Sequence, residues 1–150
     1  MPALSILELI TRDIEQTLQA IRQVNGYAFD LLIERASKSN RPLDSKVVMS
    51  LDDLERDNDS AMQHDTFYAN FTLTAYASVS DSFTTTVNQR LIAIVEDIRS
   101  ALMVDPQRSL YALNSELGTP NYNAESTDFP FVAIPFRVHY RHLRGRPFEL

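Results

Sequence analysis

Four groups of residues in this 150-residue chain are of types that do chemistry elsewhere. His64 precedes Asp65, a pairing that orients an imidazole for general-base work. No companion nucleophile such as G-x-S-x-G stands near it, and a His-Asp dipeptide is ordinary in a polar loop. The stretch DDLERDNDSAMQHD holds six acids between Asp52 and Asp65. Hard cations want several oxygens, yet the segment lacks the turn glycine and terminal glutamate of a calcium loop, so a solvated acidic loop around Asp53, Glu55, Asp57 and Asp59 is the better account. His139 and His142 are three residues apart, which aligns two rings on a helix but sends them to opposite faces of a strand, a weak basis for a metal site. Arg137, Arg141, Arg144 and Arg146 crowd the C-terminal end, where they suit phosphate or carboxylate partners but lack the interleaved aromatics of a single-strand binder. With only three glycines, Gly26, Gly118 and Gly145, no glycine-rich phosphate loop is possible.

Composition narrows the classes further. Cysteine is absent, which removes thiol catalysis, disulfides and zinc–thiolate centres together. The chain is 44% hydrophobic and 23% charged, a globular composition sufficient for one domain with one core, residues 1–150. No apolar run approaches the roughly 18 residues needed to cross a bilayer, and the first residues lack the basic leader and cleavage site of a signal peptide. The net charge of −6 opposes a dedicated nucleic-acid binder, since phosphate attraction supplies the sequence-independent part of such affinity. The charge is uneven: four arginines face one acid after residue 136, while the preceding chain has ten Lys and Arg against nineteen Asp and Glu. An acidic body with a basic tail suits the meeting of one copy with another.

These residues must be positioned by elements that periodicity indicates. From Leu4 to Val24, apolar residues at Ile6, Leu7, Ile10, Ile14, Leu18 and Ile21 recur every three or four positions, giving an amphipathic helix with a stop at Asn25-Gly26. A strand is expected from about Tyr27 through Ile33, and KVVMSLD reads as a second short strand. TFYANFTLTAYASV alternates most clearly, with Phe67, Ala69, Phe71, Leu73 and Ala75 on one face and Tyr68, Asn70, Thr72 and Thr74 on the other. Ser80, Asp81 and Ser82 are N-cap candidates for a second helix carrying Val87, Leu91, Ile94, Val95, Ile98 and Leu102. RSLYALN is a strand or a turn, TPNYNAESTD a polar loop, and Phe131–Tyr140 a closing strand whose Pro135 belongs at an edge or bulge. The fold class is α+β: a largely antiparallel sheet of about four strands with two helices on one face, in the order α-β-β-β-α-(β)-β.

Several phrases together resemble a known family. An opening amphipathic helix that runs into NGYAFDLLIER, a Pro-bearing segment before KVVMSLDDLERD, a helix ending IVEDIRSALMVDP and a terminal VAIPFRVHYRHLRGRPFEL look like the small tail-terminator or tail-completion proteins of long-tailed bacteriophages, the group that includes minor tail protein U. The similarity covers most of the chain. It implies a structural virion protein and not an enzyme: a ring, typically a hexamer, that caps the tail tube, halts its polymerisation and offers a surface for the head or neck. The implied partners are further copies of itself, the major tail tube protein and a head or neck connector, with DNA passing through the lumen without specific binding. No cofactor, metal or membrane is implied, and the implied location is the head-proximal end of the virion tail, assembled in the host cytoplasm.

Within that expectation, Arg137, His139, Arg141, Arg144 and Arg146 are assigned to subunit or tube contacts. Asp53, Glu55, Asp57 and Asp59 are assigned to a loop facing the lumen, where like charge would keep DNA phosphates off the wall within a Debye length of about 8 Å. The other readings are a head-completion or neck connector protein of similar size, a small enzyme built on His64 and nearby acids, and a nucleic-acid module built on the basic tail.

Overall fold

The computed structural model describes residues 3–35, 46–57, 63–77, 86–123 and 130–150. Helix α1, Ile6–Gln19, starts where the Ser5 side chain accepts a hydrogen bond from the Glu8 amide at 3.1 Å, satisfying one of the unpaired donors of the first turn. Its stripe of Ile6, Ile10, Ile14 and Leu18 is buried. The helix stops at Ala20 rather than at Asn25-Gly26. Gly26, at φ 92°, instead closes a short 3-10 turn over Gln23–Asn25, a left-handed conformation that costs glycine little.

Strand β1 is Leu32–Arg35, shorter than the alternation from Tyr27 predicts. The residues before it are held by side chains instead of a ladder: Asp97 accepts from the amides of Ala28 and Phe29 at 3.1 and 3.3 Å. Burial raises the Asp97 pKa, and the two amide hydrogen bonds oppose that rise. Strands β2 (Lys46–Arg56) and β3 (His64–Tyr76) are long antiparallel partners. The acidic stretch is therefore strand, not loop, at both of its ends. Asp53 and Glu55 are strand residues, His64 and Asp65 open the next strand, and a bulge between Leu51 and Asp53 absorbs Asp52. Asp59 lies outside the described residues.

Helix α2 is Val87–Leu102, capped by a reciprocal pair in which the Thr86 hydroxyl accepts from the Gln89 amide and the Gln89 side chain accepts from the Thr86 amide. Ser80, Asp81 and Ser82 fall outside the described residues. RSLYAL is turn and irregular backbone, and the final Asn of RSLYALN opens β4, Asn114–Leu117; the polar segment after it contains a further short strand, β5, Asn121–Asn123. The closing strand β6 is Phe131–Leu143.

The class is α+β, with six strands among the described residues in place of about four. The sheet runs β1-β2-β3-β6-β4, with β5 also on β6; among the described residues only β1 and β2 pair parallel. Both helices press their apolar stripes on one face, where Val47, Met49, Phe71, Leu73, Val132, Ile134, Phe136 and Val138 complete the core. Each such large side chain removed from water contributes about 1.5–3 kcal/mol.

Strand β6 is not an edge. It pairs with β3 along its whole length and with β4 and β5 on its other side. Pro135 is tolerated there because the neighbouring strand is interrupted beside it. Its carbonyl accepts from the Gly118 amide at 2.7 Å, and the carbonyl and nitrogen of one strand residue point to the same side, so the missing donor faces the break between β4 and β5.

Candidate assembly surface

Among the described residues, both helices lie on one face of the sheet, and the other carries the strands' own side chains. Register decides which residues meet there. Glu55 on β2 stands opposite Tyr68 on β3, and Tyr68 stands opposite His139 on β6; the next pairs are Asp53 with Asn70 and Asn70 with Arg137. Strand alternation puts all of them on the open face.

Arg137 lies over the Tyr68 ring, 3.7 Å from its centroid, and donates to Glu55 at 2.8 Å. His139 stacks on the same ring at 4.3 Å, and its Nε2 hydrogen-bonds Asp57 at 3.0 Å. Asp53 accepts from Asn70 at 2.6 Å, and Asp52 accepts from Thr72 and Ser50. The acidic stretch and the basic tail thus meet inside one copy, across the Tyr68 ring. The reading of two separate charged surfaces is corrected to this extent: Glu55 and Asp57 are partnered by Arg137 and His139 of their own chain.

The C-terminal turn continues the pattern. Asp65 pairs with Arg56 at 3.3 Å and Arg144 at 3.6 Å and accepts from the Gly145 amide, while Arg146 pairs with Glu149 at 3.2 Å. Asp65 is therefore engaged by these groups and does not serve as the orienting partner of His64. The Ile6 amide donates to the Pro147 carbonyl at 2.8 Å, tying the C-terminal end to the start of α1. Arg141 is exposed and makes no ion pair among the described residues.

His142 is on the helix side, stacked on Phe67 at 5.4 Å, whereas His139 is on the open face, as odd spacing on a strand requires. Among the described residues no group of three His, Asp or Glu is placed to hold a metal ion. No described helix is long and apolar enough to cross a membrane. Tyr140, beside Phe67 at 5.8 Å, has its phenol pushed up to about 12 by burial, which fits a packing role. A hollow of about 360 Å³ on the open face is lined by Asp52, Thr72, Gly118, Pro135 and Arg137. Within it the Thr72 hydroxyl donates to Asp52.

The pairs Glu55–Arg137 and Asp57–His139 are separated by 82 residues each, and sequence reading did not find them. The alternation of both strands was visible, but their mutual register was not.

No family model and no curated protein sequence matches this chain. Among solved structures, the fold is similar to the PVC sheath/tube terminator of an extracellular contractile injection system, determined by cryo-electron microscopy in the extended state. The similarity has a TM-score of 0.59 at 12% identity and covers 95% of this chain and 58% of that one. At that identity the likeness is one of fold, and the chain spans a little over half the length of its neighbour.

Proposed function

We propose that this protein is a structural terminator subunit that assembles as a ring on the end of a tail tube, stops tube growth and presents a surface to the next component. The observation that carries this reading is the match of nearly the whole chain, helices and sheet together, to a sheath/tube terminator. The proposed partners are further copies, in a hexamer, together with the tube protein and a head or neck connector. The proposed location is the head-proximal end of a phage tail. No bond is made or broken in this role, and binding energy alone does the work.

The sheet supports such a role physically. Its open face is polar, with side chains joined in cross-strand pairs, and a pre-ordered surface loses little entropy on docking. Arg141 is the C-terminal arginine whose charge is left for a neighbour. Asp52 and Asp53, which form hydrogen bonds but no ion pair among the described residues, are the better acids for a lumen wall than Glu55 or Asp57.

The reading is tested by imaging the purified protein alone and with tail tubes, and by deleting its gene. Rings seated at tube ends, and tails of abnormal length or without heads after deletion, are the expected results. Monomers under both conditions together with normal virions would refute it. Arg141→Glu is expected to impair assembly while leaving the melting temperature unchanged.

A further inference from the structure

Two apolar patches stand on opposite flanks of α1. The first is the turn after α2, where Arg108, Ser109 and Leu110 all have positive φ, at 49°, 57° and 71°. Each such non-glycine residue costs about 1–2 kcal/mol, and strain of this kind persists only where the surroundings over-determine it. Here they do. The fully buried Arg108 guanidinium donates to the carbonyls of Leu102 and Asp105 and pairs with Asp13 at 3.2 Å. Ser109 donates its hydroxyl to Asp13 at 2.8 Å and its amide to Asp105 at 2.7 Å. This fixed turn holds apolar side chains out in water: Val104 is 81% and Leu110 74% exposed, with Met103 and Leu113 at 39% and 40%.

The second patch is a hollow of about 280 Å³ lined by Leu7, Thr11, Met49, Leu51 and Phe71, with Glu8 and Arg35 on its rim. On α1, Asp13 and Thr17 reach toward the turn, while Glu8 and Glu15 reach toward Arg35 beside the hollow. At 100° per residue these two sets flank the buried stripe on opposite sides. In the sheet the hollow lies by β2, next to the β1 edge, and the turn leads into β4 at the other edge, where the Leu113 amide donates to His139. Three strand spacings, about 14 Å, separate β2 from β4.

We propose that the Val104–Leu110 knuckle of one copy seats in the Leu7–Met49–Leu51 hollow of the next, closing the ring head to tail. This rests on the ring reading above. An exposed apolar patch and an apolar hollow, on opposite flanks, cannot meet within one copy, and a head-to-tail contact uses two different patches and repeats around a closed ring. The Glu8–Arg35 rim supplies the polar border found around apolar interface centres.

Because the chain has no cysteine, single cysteines report contacts cleanly. L110C mixed with L51C is expected to give covalent dimers with a short bifunctional maleimide, and the double variant a ladder ending at the closed ring. Neither single variant is expected to cross-link alone. Leu110→Asp, which keeps a residue tolerant of positive φ, is expected to hold the melting temperature and weaken self-association at least tenfold. Rings visible by microscopy without the L110C–L51C product, self-linking of either single variant, or linking of L110C to tube protein alone would overturn this contact and leave the ring reading standing. Failure to form any oligomer, with or without tubes, would overturn both.

Discussion

Arg137 and Glu55, 82 residues apart in sequence, are bonded at 2.8 Å across the face of the intervening Tyr68. The pair joins β2 to β6 over β3, so three strands share one polar clasp. Its atoms are about half exposed, and exposed ion pairs contribute about 0.2–1 kcal/mol. A double-mutant cycle with Arg137→Ala and Glu55→Ala should return a coupling in that range that shrinks with added salt. A coupling of several kcal/mol would mean the clasp is far less solvated than its exposure indicates.

Arg108 should behave differently, because it is completely buried. Burial lowers its pKa, and Asp13 and Asp105 oppose that shift. Arg108→Ala removes the guanidinium from the Leu102 and Asp105 carbonyls and takes away the cation paired with Asp13, which keeps only the Ser109 hydroxyl. The expected loss is about 3–5 kcal/mol by urea denaturation, typical of breaking a buried pair. A loss under 1 kcal/mol would show that water replaces the guanidinium.

Glu8 links stability to acid. Its carboxyl is held below the ordinary value of 4.5, chiefly by the hydrogen bond from Arg35. A depressed folded-state pKa contributes stability that is present above the unfolded value and is lost as pH falls through the folded one. Glu8→Gln should therefore lower the urea midpoint at neutral pH and converge with the parent protein in acid. Parallel curves across the whole range would contradict this linkage.

Gly118 sits against Pro135: a Cβ added there would lie 3.0 Å from the proline Cβ and 3.2 Å from its Cγ. Gly118→Ala should cost about 1–3 kcal/mol, the usual range for overpacking, and should disturb the β4–β6 ladder. Amide exchange at Gly118, whose donor is bonded to Pro135, reads this directly. An unchanged rate would argue that the turn shifts freely.

The sequence by itself determined the local elements that periodicity encodes. The stripe Ile6, Ile10, Ile14 and Leu18, the helix Val87–Leu102 and the alternation of β3 and β6 all appear as read, because a side chain's direction follows from helix or strand geometry alone. The α+β class followed from their order. Segments with mixed or polar composition were misread. Asp53 and Glu55 look like loop residues until β3 supplies a ladder for their backbone, and Pro135 looks like an edge marker until the gap between β4 and β5 accounts for its missing donor.

Only the tertiary structure decided where the charges go. The count of acids and arginines suggested surfaces for two different copies, whereas the register of β2, β3 and β6 pairs Glu55 with Arg137 and Asp57 with His139 within one. Register is set by long-range packing of the opposite, apolar face. Sliding a strand by one residue would send Phe71 and Phe136 into water, so the buried side of the sheet fixes which polar side chains meet on the open one.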